Sequence, residues 1–281
     1  MKLVTFSHRG ELRPGVLRDD GGVVDLAPRL GIGSIRELLS ANRLTEAAEL
    51  TESDHAPGHV KLEIPVPDPG KIICVGVNYM DRNAEYRDGS EAPKFPSLFM
   101  RTSASFSAPG DALLIPHESA ELDYEGEIAL VIGKAGRRIA QGDAMAHVAG
   151  LTIANEGSVR DWIRHGKFNV TQGKNFDRSG SFGPWIETDL NGIDIADIKI
   201  ETRVNGELRQ SDTTASMAFP IRHIIAYVST FAALLPGDVI LTGTPTGSGG
   251  RFNPPKWLKA GDRVDVTVAG IGTLSNPVAH E

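Results

Sequence analysis

Two glutamates, Glu125 and Glu127, stand two residues apart in Leu122-Asp123-Tyr124-Glu125-Gly126-Glu127-Ile128-Ala129-Leu130-Val131-Ile132-Gly133. The apolar run that follows reads as a strand, and a strand has period two, so both carboxylates leave the same face. Adjacent anions repel, and a cation between them makes the arrangement favourable. Hard oxygen ligands select Mg2+, Mn2+ or Ca2+ over zinc. On spacing alone the pair equally fits a solvated acidic strand face. A third carboxylate, Glu156, lies in Ala154-Asn155-Glu156-Gly157-Ser158-Val159-Arg160-Asp161-Trp162, where an apolar strand over 147–154 gives way to an expected helix over 156–165. Glu156 either joins the pair or caps that helix, whose N-terminus favours an anion. In the second case Arg160 and Asp161 pair on its surface.

Three polar segments could meet a ligand. In Thr171-Gln172-Gly173-Lys174-Asn175-Phe176-Asp177 the lysine could bind a carboxylate or an oxyanion. This is no nucleotide P-loop, because Gly166 is too far upstream and Asn175 stands where Ser or Thr is needed. Over 236–247 a strand runs into a glycine- and threonine-rich turn able to offer N–H groups and hydroxyls to an anion. Residues 78–86 follow a buried strand and so lie at its exposed end. The last two segments read equally well as plain loops. The sequence has no His-Glu-x-x-His, no Gly-x-Ser-x-Gly and no intact Gly-x-Gly-x-x-Gly, and its eight histidines are scattered.

The framework that must position these groups is β-rich. Lys71-Ile72-Ile73-Cys74-Val75-Gly76-Val77 is a continuous apolar run, expected as a strand buried on both faces, with Cys74 as a small core residue rather than a nucleophile. Further strands are expected over 127–132, 198–204, 238–242 and 263–268, and the 31 glycines supply turns between them. Ile221, Ile224, Ile225, Val228, Phe231, Ala232 and Leu235 follow helical spacing behind Pro220 and predict a helix over 221–235. Near the start, short strands are expected over 2–7, 15–18 and 22–26. Ser34-Ile35-Arg36-Glu37 forms a capping box ahead of Leu38 and Leu39. Three prolines between 65 and 69 mark a boundary, giving a small N-terminal domain over 1–66 and a larger domain over 67–281. The fold class is β-rich α+β.

Composition narrows the function. The chain has 281 residues, 40% hydrophobic and 23% charged, enough for a sizeable core. A net charge of −7 with no Lys/Arg block gives no reason to bind nucleic acid. One cysteine excludes a disulfide framework and a cysteine-rich zinc site. The first residues lack an apolar signal core, and the apolar stretch 221–235 is too short to span a bilayer and contains His223. These features point to a cytoplasmic enzyme of small-molecule metabolism, with no membrane partner.

Together these segments resemble the fumarylacetoacetate hydrolase (FAH) family, in its bacterial, acylpyruvase-like branch. The matching pieces run in the family's order: Val75-Gly76-Val77-Asn78-Tyr79, then 122–133, 155–162, 172–177, Val204-Asn205-Gly206-Glu207, 236–247 and Ala269-Gly270-Ile271-Gly272-Thr273-Leu274. They span about three-quarters of the chain. The resemblance implies an FAH-type mixed β-sandwich roll with a small N-terminal α/β appendage, assembled as a homodimer. It also implies Mg2+ or Mn2+ (Ca2+ in crystals) at the mouth of the β-structure. Glu125, Glu127 and Glu156 are then the metal ligands, with Glu156 where the family usually has aspartate. Lys174 is the catalytic lysine beside the metal, and Arg160, Thr244 and Tyr79 bind substrate. The family pattern places a histidine three residues beyond the tyrosine and a glutamate three further on. Here those positions are Arg82 and Glu85. Arginine stays protonated and cannot act as a base, so Arg82 is left to bind a second substrate carboxylate or to pair with Glu85.

The implied chemistry is metal-assisted enolisation of a 2-oxo acid. The first expectation is a hydrolase that cleaves a C–C bond in a 2,4-dioxo acid of acylpyruvate type, from aromatic-compound or sugar-acid catabolism. Glu85 would activate the water, or His165 if the fold turned that otherwise surface residue inward. The alternatives are a 2-oxo acid decarboxylase, isomerase or hydratase on the same site, and a non-catalytic oxo-acid-binding relative.

Overall fold

The computed structural model describes residues 1–81, 94–163, 165, 166 and 169–281. The expectations for Arg82 and Glu85 fall outside the described residues. The strands begin with β1 (Lys2–His8), β2 (Glu11–Leu17), β3 (Val23–Asp25), β4 (Lys61–Glu63), β5 (Ile72–Val75) and β6 (Leu98–Met100). The middle of the chain adds β7 (Phe106–Ser107), β8 (Leu113–Ile115), β9 (Leu122–Asp123), β10 (Gly126–Ile132), β11 (Val148–Asn155), β12 (Ser158–Val159) and β13 (Gly180–Glu187). The last are β14 (Lys199–Val204), β15 (Glu207–Thr213), β16 (Val239–Leu241), β17 (Arg263–Val268) and β18 (Gly272–His280).

Among the described residues these form two main sheets. An 11-stranded sheet runs β3-β2-β1-β13-β11-β10-β16-β5-β6, with β4 beside β1 and β7 beside β13. A 5-stranded sheet runs β15-β14-β17-β18-β8. Most pairs are antiparallel, but β16 lies parallel to β5, β13 to β7 and β18 to β8, so the sheets are mixed, as expected.

Strand β10 explains how the layers are held. All its residues are buried, and alternation sends them to two different cores. Ile128, Leu130 and Ile132 pack with Ile200, Val264, Val266 and Leu274 of the smaller sheet. Ala129 and Val131 pack with Leu26, Ile35, Leu38 and Leu39 from the N-terminal helices. Both faces of the strand are covered, which is why it reads as an unbroken apolar run. Period two also places Glu127 on the face of Ala129 and Val131, at the strand's open end.

The first 66 residues join the large sheet through β1, where Leu3 pairs with Ile186 of β13. The capping box at Ser34 forms: Ser34 Oγ accepts from Glu37 N at 3.1 Å. The Glu37 carboxylate reaches Gly33 N, at 2.7 Å, instead of closing on Ser34.

Two helices are shorter than their sequence patterns predict. The expected helix over 156–165 is reduced, among the described residues, to Arg160–Ile163, because Ser158 and Val159 pair with Asp123 and Leu122 as β12 and β9. Glu156 therefore does not cap a helix. The helix Ile221–Phe231 stops four residues before Leu235, because Leu234 exchanges backbone hydrogen bonds with Gly136, both at 2.9 Å. No helix among the described residues is long and apolar enough to cross a membrane.

Candidate metal centre

One oxygen each from Glu125, Glu127 and Glu156 lies within 4.8 Å of the other two. All three residues are buried, Glu127 and Glu156 at 1% exposure. The loop before β10 and the loop after β11 close on each other to place them. Glu156 N donates to Glu125 O at 2.7 Å, and Glu125 N donates to Asn155 Oδ1 at 2.8 Å. Glu127 is held from the third side, where Gly243 N donates to its Oε2 at 2.7 Å. Gly243 has φ +99°, and a Cβ there would lie 2.7 Å from Asn78 Cβ, so the turn that presents this N–H requires glycine. Asn78 is itself fully buried and clamps the turn, donating to Thr242 O at 2.7 Å and accepting from Phe219 N at 2.8 Å.

Three cations surround the acids. Lys174 Nζ donates to Glu125 Oε2 and, at 3.1 Å, to Glu156 Oε2. Arg160 Nη2 donates to Glu125 Oε1 at 2.6 Å, and its Nε to Asp123 Oδ2 at 2.7 Å. Asp123 in turn accepts from Gly249 N at 2.7 Å and Gly250 N at 3.0 Å, so one chain of bonds ties the glycine-rich loop to Glu125. Arg101 is buried behind the cluster, donating to Gly157 O, Ser105 O and Ser179 Oγ.

The electrostatics follow from burial. Desolvation, then Glu156 and Glu125, push the Glu127 carboxyl well above its ordinary range. Burial works against the Lys174 charge, but Glu125 and Glu156 outweigh it and hold the ammonium above its usual value. Arg160 is held up in the same way, with Glu125 and Asp123 overcoming desolvation. Glu156 Oε1 is buried with no hydrogen-bond partner. An orphaned carboxylate oxygen among converging acids is what a hard divalent cation satisfies, so these residues fit such an ion.

The residues expected to bind substrate lie around the same acids, with these partners. The Arg160 guanidinium pairs with Asp123 and Glu125, fixing the position of one carboxylate of the triad. The Thr244 hydroxyl donates to Gly126 O at 2.8 Å, so its proton is committed to the backbone between Glu125 and Glu127. Tyr79 is buried with its hydroxyl unpartnered, and burial, Glu127 and Asp212 push the phenol up. His165 is exposed and lies against Trp162, the rings tilted by 46° with centroids 4.3 Å apart. Cys74 lies fully buried in β5, where burial and then Glu156 push its thiol well up, as suits a core residue.

A family model described as fumarylacetoacetate (FAA) hydrolase C-terminal matches residues 71–279. The chain belongs to the fumarylacetoacetate hydrolase family. It is 42% identical to oxaloacetate tautomerase YisK of Bacillus subtilis, covering 99% of this chain and 100% of that one. It is 41% identical to the mitochondrial oxaloacetate tautomerase Fahd2a of Rattus norvegicus, covering 99% of this chain and 91% of that one. Among solved structures, a fumarylacetoacetate hydrolase from Exiguobacterium antarcticum superposes with a TM-score of 0.88 at 37% identity over 100% of both chains. Family enzymes bind divalent metals and small-molecule oxo acids, in keeping with the acidic triad.

Proposed function

We propose that this enzyme is a divalent-metal-dependent tautomerase that interconverts the keto and enol forms of oxaloacetate or a similar 2-oxo dicarboxylic acid. The observation that carries the reading is Arg82, at the position where the family's hydrolases have the histidine that activates water. Without that base, enolisation remains available, because it consumes no water and breaks no C–C bond. The name oxaloacetate tautomerase on relatives matched over 99% of this chain supports the same choice.

In the reaction a proton leaves C3 and a proton arrives on the C2 oxygen. Glu125, Glu127 and Glu156 would hold the cation, whose Lewis acidity lowers the cost of negative charge on that oxygen. Lys174 Nζ, fixed against Glu125 and Glu156, adds positive charge at the same place. Tyr79 Oη, buried and unpartnered, offers a neutral donor to a substrate oxygen. Glu85 carries the C3 proton, and Arg82 binds the second carboxylate. The charge balance suits a dianion: four carboxylates (Asp123, Glu125, Glu127, Glu156) face three cations (Arg101, Arg160, Lys174), and a divalent ion leaves the site net positive.

The test is to supply oxaloacetate as its enol, follow the enol absorbance, and analyse products by NMR with Mg2+ or with chelator. Metal-dependent acceleration to the keto form without other products is expected. No acceleration, or release of CO2 and pyruvate at the same rate, would overturn the reading. C–C hydrolysis is the second reading, favoured by the retained Glu85 and by the fumarylacetoacetate hydrolase among the structural neighbours. Metal-dependent pyruvate plus a free acid from an acylpyruvate would establish it instead.

A further inference from the structure

We propose that Gln210 is a positioning residue for the metal centre: its side-chain amide holds the Gly126 peptide, and through it sets the separation and aim of Glu125 and Glu127. The inference rests on the triad as the metal site and does not depend on which oxo acid is the substrate.

Gln210 lies on β15, the edge strand of the smaller sheet, and is 1% exposed. Every polar atom of its amide is used. Gly126 N donates to Gln210 Oε1 at 3.0 Å, while Gln210 Nε2 donates to Thr244 Oγ1 and Pro245 O, both at 2.8 Å. Thr244 Oγ1 donates back to Gly126 O at 2.8 Å. The result is a closed ring of hydrogen bonds around the one residue that separates two metal ligands. Gly126 lies beyond the β16 ladder, which pairs only with Ala129, Leu130 and Val131. Side chains therefore replace a strand as the partner of its outward N–H and C=O.

The strand is shaped to deliver this amide. Thr202 of β14 pairs with Gln210, but Arg203 pairs with Leu208, leaving Arg209 as an extra residue in a β-bulge. Bulges re-aim side chains and occur beside active sites. Thr202, the cross-strand partner of Gln210, closes the remaining approach to the glycine: a Cβ at Gly126 would lie 2.1 Å from Thr202 Oγ1. The Thr202–Gln210 pair thus confines the backbone between the two ligands, Gln210 by a hydrogen bond and Thr202 by close contact. The same turn that receives Gln210 Nε2 also supplies Gly243 N to Glu127 Oε2, so one side chain registers both the backbone and the carboxylate head of that ligand.

A structural amide and a positioning amide differ in what their loss changes. The experiment is calorimetric titration of the full-length chain with Mn2+, beside the melting temperature of the metal-free protein, for wild type, Gln210→Ala and Gln210→Glu. Gln210→Glu keeps the acceptor for Gly126 N and the side-chain volume but removes both N–H donors; it serves if the alanine variant does not fold and is titrated at a pH low enough to keep the new carboxyl neutral, so that no added charge attracts the cation. Ile200→Val, a core change on β14, is the control for general loss of stability. The expected result is a rise of about tenfold or more in the Mn2+ dissociation constant for the Gln210 variants, with none for Ile200→Val. Gln210 variants that melt lower yet bind Mn2+ as tightly as wild type would overturn the inference. Wild-type protein that takes up no Mn2+ would overturn the triad reading along with it.

Discussion

Lys174 Nζ bridges two metal-ligand candidates, bonding Glu125 and lying 3.1 Å from Glu156 Oε2. One ammonium thus joins the loop before β10 to the loop after β11. It stabilises the metal-free cluster and competes with the cation for the same oxygens. Lys174→Met keeps the length and removes the charge. The metal-free protein should lose stability, by about 3 kcal/mol for a broken buried pair, and bind Mn2+ at least as tightly as wild type. Turnover should fall about a hundredfold, the scale for losing one donor at a developing oxyanion. Calorimetry and the enol assay read these quantities separately, and weaker Mn2+ binding would contradict the bridging role.

Glu125 meets Lys174 Nζ, Arg160 Nη2 at 2.6 Å and Ser158 Oγ at 3.1 Å. Its removal should relieve repulsion among the acids while abolishing tight metal uptake. Wild-type protein should gain about 2.7 kcal/mol at a metal concentration a hundred times the dissociation constant. Glu125→Gln should show no Mg2+-induced rise in melting temperature. A rise equal to that of wild type would remove Glu125 from the ligand set.

The parts of the site legible in the sequence were those governed by local rules. Glu125 and Glu127 could be paired because strand alternation acts within three residues, and the apolar run behind them fixed the element. For Glu156 the residues alone left two readings, a third ligand or a helix cap, and the family resemblance chose the first. Its local pattern suggested a helix cap, which the distant pairing of Ser158 with Asp123 prevents. The resemblance assigns Arg160 and Thr244 to substrate, and the structure adds that their polar groups bond Glu125 and Gly126, partners that no spacing rule names. A sequence does not reveal which far segment will absorb a donor. Asp123, Arg101 and Gln210 escaped notice for the same reason: each acts on residues tens of positions away, and no spacing rule joins them. The β-bulge that aims Gln210 is likewise a property of a strand pair, not of one strand.

Asp54 provides a test of how the N-terminal segment is pinned. Its carboxylate takes Arg29 Nη2 at 2.8 Å and Asp25 N at 2.8 Å, joining the loop to β3 and to the helix Leu26–Leu30. Burial opposes the charge, but the Arg29 hydrogen bond and the Asp25 N–H hold the carboxyl below its ordinary value. A depressed carboxyl contributes stability above its unfolded value near 3.8 and loses it as pH falls through the folded value. Asp54→Asn should therefore cost up to about 1 kcal/mol at pH 7, and the difference should shrink below the ordinary carboxylate range. Urea melts at pH 7 and pH 3 check this, and an equal cost at both would show that the charge is not what matters.

Arg82 carries the sharpest prediction about substrate. A guanidinium that binds the second carboxylate of oxaloacetate contributes only when that carboxylate is present. A charged hydrogen bond of this kind is worth about 2 kcal/mol, roughly thirtyfold in binding. Arg82→Met should therefore raise KM for oxaloacetate by about that factor. Tautomerisation of a 2-oxo acid with no second carboxylate should change little. Such a split cannot arise from general damage to the metal centre, which would slow both substrates alike. If the two substrates lose activity equally, Arg82 acts on the site rather than on the substrate's tail, and pairing with Glu85 becomes its role. If only oxaloacetate suffers, the arginine standing in place of a histidine is what commits this scaffold to dicarboxylic substrates.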